Sequence, residues 1–258
     1  MGENMAAIKR DFLPADFVSE LDALRFDGSV AVQARQSLEE TNWLLKLADE
    51  NAHIKGVVGW VDLCSPRAEE QLADFAKHPK AVGVRHVIQD EADDNFILRP
   101  DFLRGVNVLA QFGLTYDILI FPKHLSKTIK FVEQSSPDQT FVLDHIAKPF
   151  IKSRIFSPWE KDIRSLAQHP NVYCKLSGMV NEADWLTWKP EDFTQYLDVV
   201  FDAFGAQRLM IGSDWPVCLV ADSYMRVLQI VLDYILDFSE TDKVCVLGGN
   251  AISAYGIQ

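Results

Sequence analysis

Two residues able to move a proton or hold a cation stand where apolar runs break off. In "LMIGSDWPVC" (209–218), Leu209, Met210 and Ile211 give way to Asp214, and Pro216 stops the run. In "FVLDHIAKP" (141–149), His145 follows a second apolar run, and Pro149 ends it. A carboxylate fixed in this way can serve as a general base or as a metal ligand, since both roles need an ionised oxygen held in one direction. Capping of the next helix is the structural alternative for Asp214. A lone histidine is most often a satisfied structural group, but His145 and Asp214 at the ends of two late strands form a pair.

Other polar residues end similar runs. Gln33, Asp62, Arg85, His86, Gln89, Asp144, Lys148, Lys175 and Ser177 stand at such ends, together a ring suited to an oxygen-rich substrate. Arg85 and His86 could anchor a carboxylate or hydroxyls, with a surface ion pair as the alternative for Arg85. Lys148 and Lys175 could stabilise a developing oxyanion, or simply carry their amines along the surface to water. His53, His78, His124 and His169 fall on helices or at their ends and read as surface residues.

The elements that must position these groups alternate along the chain. Short apolar runs at 28–33, 54–63, 81–88, 115–121, 140–146, 171–177 and 208–214 read as strands. Helical periodicity fills 38–52, 67–78, 100–113, 124–135, 158–169 and 189–205, and 221–258 reads as closing helices. Pro100, Pro158 and Pro190 lie near helix starts, and Gly113 and Gly205 just past helix ends. Repeated βα units imply a parallel sheet, whose reactive groups gather on the loops at one face. No glycine-rich phosphate loop follows the first strand, which sets aside the doubly wound alternative.

The expected fold is therefore α/β, a (β/α)8 barrel of the TIM type. The chain provides seven strands where closure needs eight, and residues 1–13 contain no strand, so the deficit falls on the first strand. Residues 1–258 are expected to be a single barrel domain, incomplete on its N-terminal side, with two open edges that other chains could pair with.

A formal net charge of −12 without a clustered basic face argues against nucleic acid as partner. The four cysteines have no C-x-x-C spacing, so free thiols are expected rather than a disulfide framework or thiolate zinc site. No segment reads as a secretion signal or membrane span, and the cytoplasm is the expected location.

"GVVGWVDL", "GVRHVIQDEADDNFILRPDFLRGV", "FVLDHIAKP", "CKLSGMVNEADW" and "IGSDWPVC", in this order, resemble the amidohydrolase-2 group of the amidohydrolase superfamily, typified by fuconolactone and rhamnonolactone hydrolases. The resemblance implies hydrolysis of a sugar-acid lactone, an aldonolactone, with water activated by Asp214. It makes Asp214 and His145 the catalytic pair and the ligands of a divalent metal such as zinc in members that bind one. It sets Arg85 and His86 facing substrate and Lys175, Ser177 and Trp185 around the mouth; Gln33, at the end of the first strand run, is a further substrate-binding candidate. The partner implied is a small sugar lactone or related acid, with a homo-oligomer left open. The family's first strand carries an H-x-H pair, and no H-x-H occurs in this chain. A superfamily decarboxylase or lyase, or an inactive binding barrel, are the alternatives.

Overall fold

The computed structural model describes residues 3–257. Seven parallel strands follow one another in chain order across a curled sheet. They are β1 (Ser29–Val32), β2 (Ile54–Gly59), β3 (Ala81–Val87), β4 (Thr115–Leu119), β5 (Phe141–Leu143), β6 (Val172–Leu176) and β7 (Leu209–Ile211). Helices α1 (Pro14–Leu24) and α2 (Leu38–Glu50) flank β1, and α3 (Ala68–Phe75), α4 (Pro100–Leu109) and α5 (Leu125–Gln134) follow β2, β3 and β4. Then come α6 (Trp159–Leu166), α7 (Glu191–Phe204), α8 (Tyr224–Tyr234), α9 (Glu240–Val244) and α10 (Asn250–Tyr255). Among the described residues no strand joins β7 to β1, so this is a TIM-type barrel lacking one strand.

Alternation along the strands sorts side chains into two layers. Tyr116, Ile118, Phe141, Leu143, Cys174, Leu176 and Leu209 point outward and pack with the helices in the main core. Val58, Val82, Val142 and Met210 point inward and meet Ala254 and Tyr255 of α10, which enters the barrel interior. The pairing of β2 with β3 slips by one residue at Val82, where Val57 and Val58 oppose Ala81 and Gly83. That bulge changes the phase of β3, so that both Val82 and Arg85 face inward.

Helix α1 has no counterpart in the sequence reading. Pro14 opens it, and the Asp16 carboxylate accepts a hydrogen bond from the Leu13 amide at 2.8 Å. Its Phe17 stacks on Trp215 with ring centroids 4.6 Å apart, and Phe12 meets the same indole edge-on at 5.2 Å. The N-terminal segment thus buttresses the loop that carries Asp214. At the other end, the Asn250 amide donates to the Ala206 and Leu209 carbonyls and ties α10 to the start of β7.

The four cysteines are free, with Cys174 and Cys218 buried. His124 corrects the surface reading: it is fully buried behind β4, where Nε2 lies 3.2 Å from the Asp94 carboxylate. No helix among the described residues is long and apolar enough to cross a membrane.

Candidate active site

Asp214 leaves β7 with φ of +55°, a left-handed backbone that few residues with a Cβ adopt. The Ser213 hydroxyl accepts from the Trp215 amide at 3.1 Å, and the Asp214 carbonyl accepts from the Cys218 amide at 2.9 Å, so both sides of the turn are fastened. His145 leaves β5 in the same conformation and opens a run of four. His145, Ile146, Ala147 and Lys148 have φ of +54°, +47°, +59° and +51°. Left-handed backbone costs roughly 1–2 kcal/mol per residue with a Cβ. The run is held by the Lys148 amide donating to the His145 carbonyl at 2.8 Å and by the buried Trp159 indole donating to the Ile146 carbonyl at 2.7 Å. Gly178, also at positive φ, makes room for the ring: a Cβ there would lie 2.8 Å from His145 Cβ and Cγ.

These turns bring His145 Nε2 to 3.7 Å from Asp214 Oδ1. The opposite ring nitrogen, Nδ1, lies 2.8 Å from the Ser177 hydroxyl, which fixes the ring's orientation. Asn181 donates from Nδ2 to Asp214 Oδ2 at 2.6 Å, and the Trp185 indole donates to the Asn181 carbonyl at 2.9 Å. Burial pushes the His145 pKa below its ordinary value despite the nearby Asp214 and Asp144 carboxylates, so the imidazole is neutral at pH 7. Asp214, His145, Ser177 and Trp185 are thereby brought together, and Asn181 joins them as a residue the sequence reading passed over. Its signal was its place in the loop after β6.

Beside this group the barrel interior holds a closed ionic network. Arg85 donates to Asp144 Oδ2 at 2.8 Å and to the Gln33 carbonyl, and Gln33 Nε2 returns a bond to the Arg85 carbonyl at 3.0 Å. Lys175 Nζ bridges Asp117 at 2.6 Å and Asp144 at 2.7 Å. The Tyr255 hydroxyl donates to Asp117 at 2.8 Å. Burial opposes the Lys175 charge, yet the two carboxylates hold its pKa well above the ordinary lysine range. Burial would raise Asp144, but Lys175 and Arg85 outweigh it and hold the acid well below the usual carboxylate range. In Asp117 burial prevails over Lys175 and the pKa rises. Gln33, Arg85 and Lys175 therefore lie together in the inner wall of the barrel. Asp117 and Tyr255 were not anticipated, although an aspartate in the middle of the apolar run "TYDILIF" was a visible signal.

His86 is placed elsewhere, and the expectation that it faces substrate beside Arg85 needs correction. Strand alternation sends it outward, where its ring stacks on Phe96 at 4.8 Å and Nε2 lies 2.6 Å from Glu91. The Trp60 indole, which can only donate, points at Nδ1 from 3.3 Å, so the proton sits on Nε2. Burial lowers the His86 pKa despite Glu91.

His145 Nε2 and Asp214 Oδ1 converge as two metal donors would, but among the described residues no third His, Cys, Asp or Glu joins them. A catalytic zinc takes three protein ligands. The described residues therefore fall short of such a centre.

A curled parallel βα barrel whose site gathers on the strand-end loops, with a late histidine facing a last-strand aspartate, defines the amidohydrolase class. The amidohydrolase family matches residues 4–257, and the chain belongs to it. The chain is 39% identical to the L-fucono-1,5-lactonase of Burkholderia multivorans over 268 residues, covering 100% of this chain and 90% of that protein. It is 24% identical over 200 residues to the L-rhamnono-gamma-lactonase of Scheffersomyces stipitis, covering 68% of this chain and 59% of that one. The crystal structure of a Burkholderia multivorans amidohydrolase with bound zinc superposes with a TM-score of 0.96 at 39% identity, covering 100% of this chain and 93% of that one.

Proposed function

We propose that this chain hydrolyses the lactone ring of a sugar acid, with L-fucono-1,5-lactone, the substrate in a relative's name, as the first candidate. The observation that carries the reading is the convergence of Asp214, His145 and Asn181 at the barrel mouth. Asp214 takes the proton from water as the water oxygen attacks the ring carbonyl carbon. Asn181 holds the far carboxylate oxygen, leaving Oδ1 toward His145 and the attacking water. The neutral His145 ring, oriented by Ser177, offers a polar contact without adding charge. When the tetrahedral intermediate collapses, the bond from carbonyl carbon to ring oxygen breaks. The ring oxygen receives the proton held by Asp214, and the new acid releases a proton to solvent as the aldonate forms.

Gln33, Arg85 and Lys175 give the inner wall its polar character, and Trp185 borders the mouth through Asn181. Zinc, present in the crystal structure of a related amidohydrolase, would need a donor beyond His145 and Asp214 to be held at this site. Cytoplasmic residence in sugar-acid metabolism fits this chemistry. The test is proton release in a pH-stat on a panel of aldonolactones. One proton per ring opened, above the uncatalysed rate, is expected. Carbon dioxide release from an aromatic acid with no lactone opening would establish the lyase alternative, and aldonate binding without turnover the binding barrel.

A further inference from the structure

Asp214 and His145 both sit at positive φ, but their turns are supported differently. The turn of His145 is gripped from another element by the Trp159 indole, which donates to the Ile146 carbonyl. The backbone hydrogen bonds that fasten Asp214, from the Trp215 amide to the Ser213 hydroxyl and from the Cys218 amide to the Asp214 carbonyl, come from within its own loop. Asn181 reaches in from the loop after β6, but it holds the carboxylate and not the backbone. Residues with a Cβ leave the left-handed region unless something beyond the local chain restrains them.

That restraint comes from the N-terminal segment. The Trp215 indole, next along the chain from Asp214, is stacked by Phe17 of α1 with ring centroids 4.6 Å apart and is met edge-on by Phe12. Phe17 in turn meets Tyr224 of α8 edge-on at 5.3 Å, which anchors the clamp to the outer layer of the barrel. The Arg10 guanidinium covers the Phe12 ring at 3.8 Å, and the helical turn Glu3–Ile8 lies against Val217–Val220, just beyond Asp214. Elsewhere the segment is lightly attached: Leu21 is the buried residue of α1, and Leu13 and Val18 stay exposed. Its packing is thus concentrated on the loop after β7 and on α8.

We propose that Phe17 is a positioning residue for the reaction: by stacking on Trp215 it holds the adjoining Asp214 in its left-handed turn, with the carboxylate directed at His145 and the attacking water. The N-terminal segment is then a strap across the loop that carries the base. The effect on rate rests on the lactonase reading above; the effect on the turn does not.

The experiment measures the full chain and its Phe17→Ala, Phe17→Leu and Phe17→Tyr variants in two ways. One is lactone pH-stat kinetics well below their melting temperatures; the other is hydrogen–deuterium exchange of the amides of 211–220, with those of β4 as reference. The alanine variant should lose about 10–10²-fold in kcat with KM changed by less than about threefold. Its 211–220 amides should exchange about tenfold faster while β4 is unchanged. Phe17→Tyr, which keeps the stack, should stay near the parent in both, with Phe17→Leu between. The leucine variant serves if the alanine variant does not fold. A kcat within about twofold of the parent would overturn the proposal, as would unchanged exchange in 211–220. Exchange that quickens equally in β4 would also overturn it, because the loss would then be a general loosening. If the parent opens no lactone, the lactonase reading falls and the effect on rate with it, and exchange alone decides whether Phe17 holds the Asp214 turn.

Discussion

His145 Nε2 stands 3.7 Å from Asp214 Oδ1, and both residues are held at nearly the same left-handed φ, +54° and +55°. Neither is glycine, so each position is disfavoured locally and persists because the surroundings determine it. Two strand-end turns are thus bent in the same unusual way to turn an imidazole and a carboxylate toward each other.

Asp214→Asn removes the proposed base while keeping the bonding capacity toward Asn181. The expected result is a fall in kcat of about 10²–10⁴-fold with little change in melting temperature. Steady-state kinetics at pH 7 checks this, and an unchanged kcat would remove Asp214 from the chemistry.

Trp159→Phe keeps an aromatic ring but leaves the Ile146 carbonyl without its 2.7 Å donor. A buried acceptor left unpaired costs about 1–3 kcal/mol. The variant should melt lower, and kcat should fall more than KM changes, because the turn presenting His145 loosens. Equal loss in both parameters would point to general destabilisation instead.

Lys175→Met leaves Asp117 and Asp144 buried with fewer counter-charges. Breaking a buried pair from one side costs about 3–5 kcal/mol. Chemical denaturation should show a loss of that size, whereas Tyr255→Phe, which leaves Lys175 on Asp117, should cost about 0.5–1.5 kcal/mol. A loss for Tyr255→Phe as large as that for Lys175→Met would mean that the hydroxyl, not the amine, holds the network.

Burial depresses the pKa of His53, His86, His124 and His145 in the folded state. The unfolded chain, whose histidines titrate near about 6.5, therefore binds protons that the folded chain refuses. Stability from this source is fully present above pH 7 and declines as the pH falls through 6.5 toward the depressed values. Thermal melts at intervals from pH 8 to pH 5 should show a falling Tm; a flat profile across that range would contradict the depressed titration of these rings.

The strands were legible because both faces of a parallel barrel are covered, which leaves nearly continuous apolar runs such as "TFVLDHI" with the reactive residues at their ends. Asp214 and His145 could be picked out in this way. The left-handed turn could not, since "DHIAK" has no glycine or asparagine to announce it and the conformation is held by Trp159 and Gly178 from other elements. The bulge at Val82, which turns Arg85 inward and His86 outward, likewise depends on pairing with β2. Sequence spacing could not show that Lys175 is committed to two acids, one of them on β4.

The hydrogen bond from Tyr255 to Asp117 spans 138 residues. At a synthesis rate of about 5–20 residues per second, Asp117 waits roughly 10–30 s for that partner. Until α10 arrives, a nascent chain holds an acid in a half-built interior with its hydroxyl donor still unmade. The barrel interior is thus completed by a residue made long after the acid that it satisfies, and its order depends on the docking of α10.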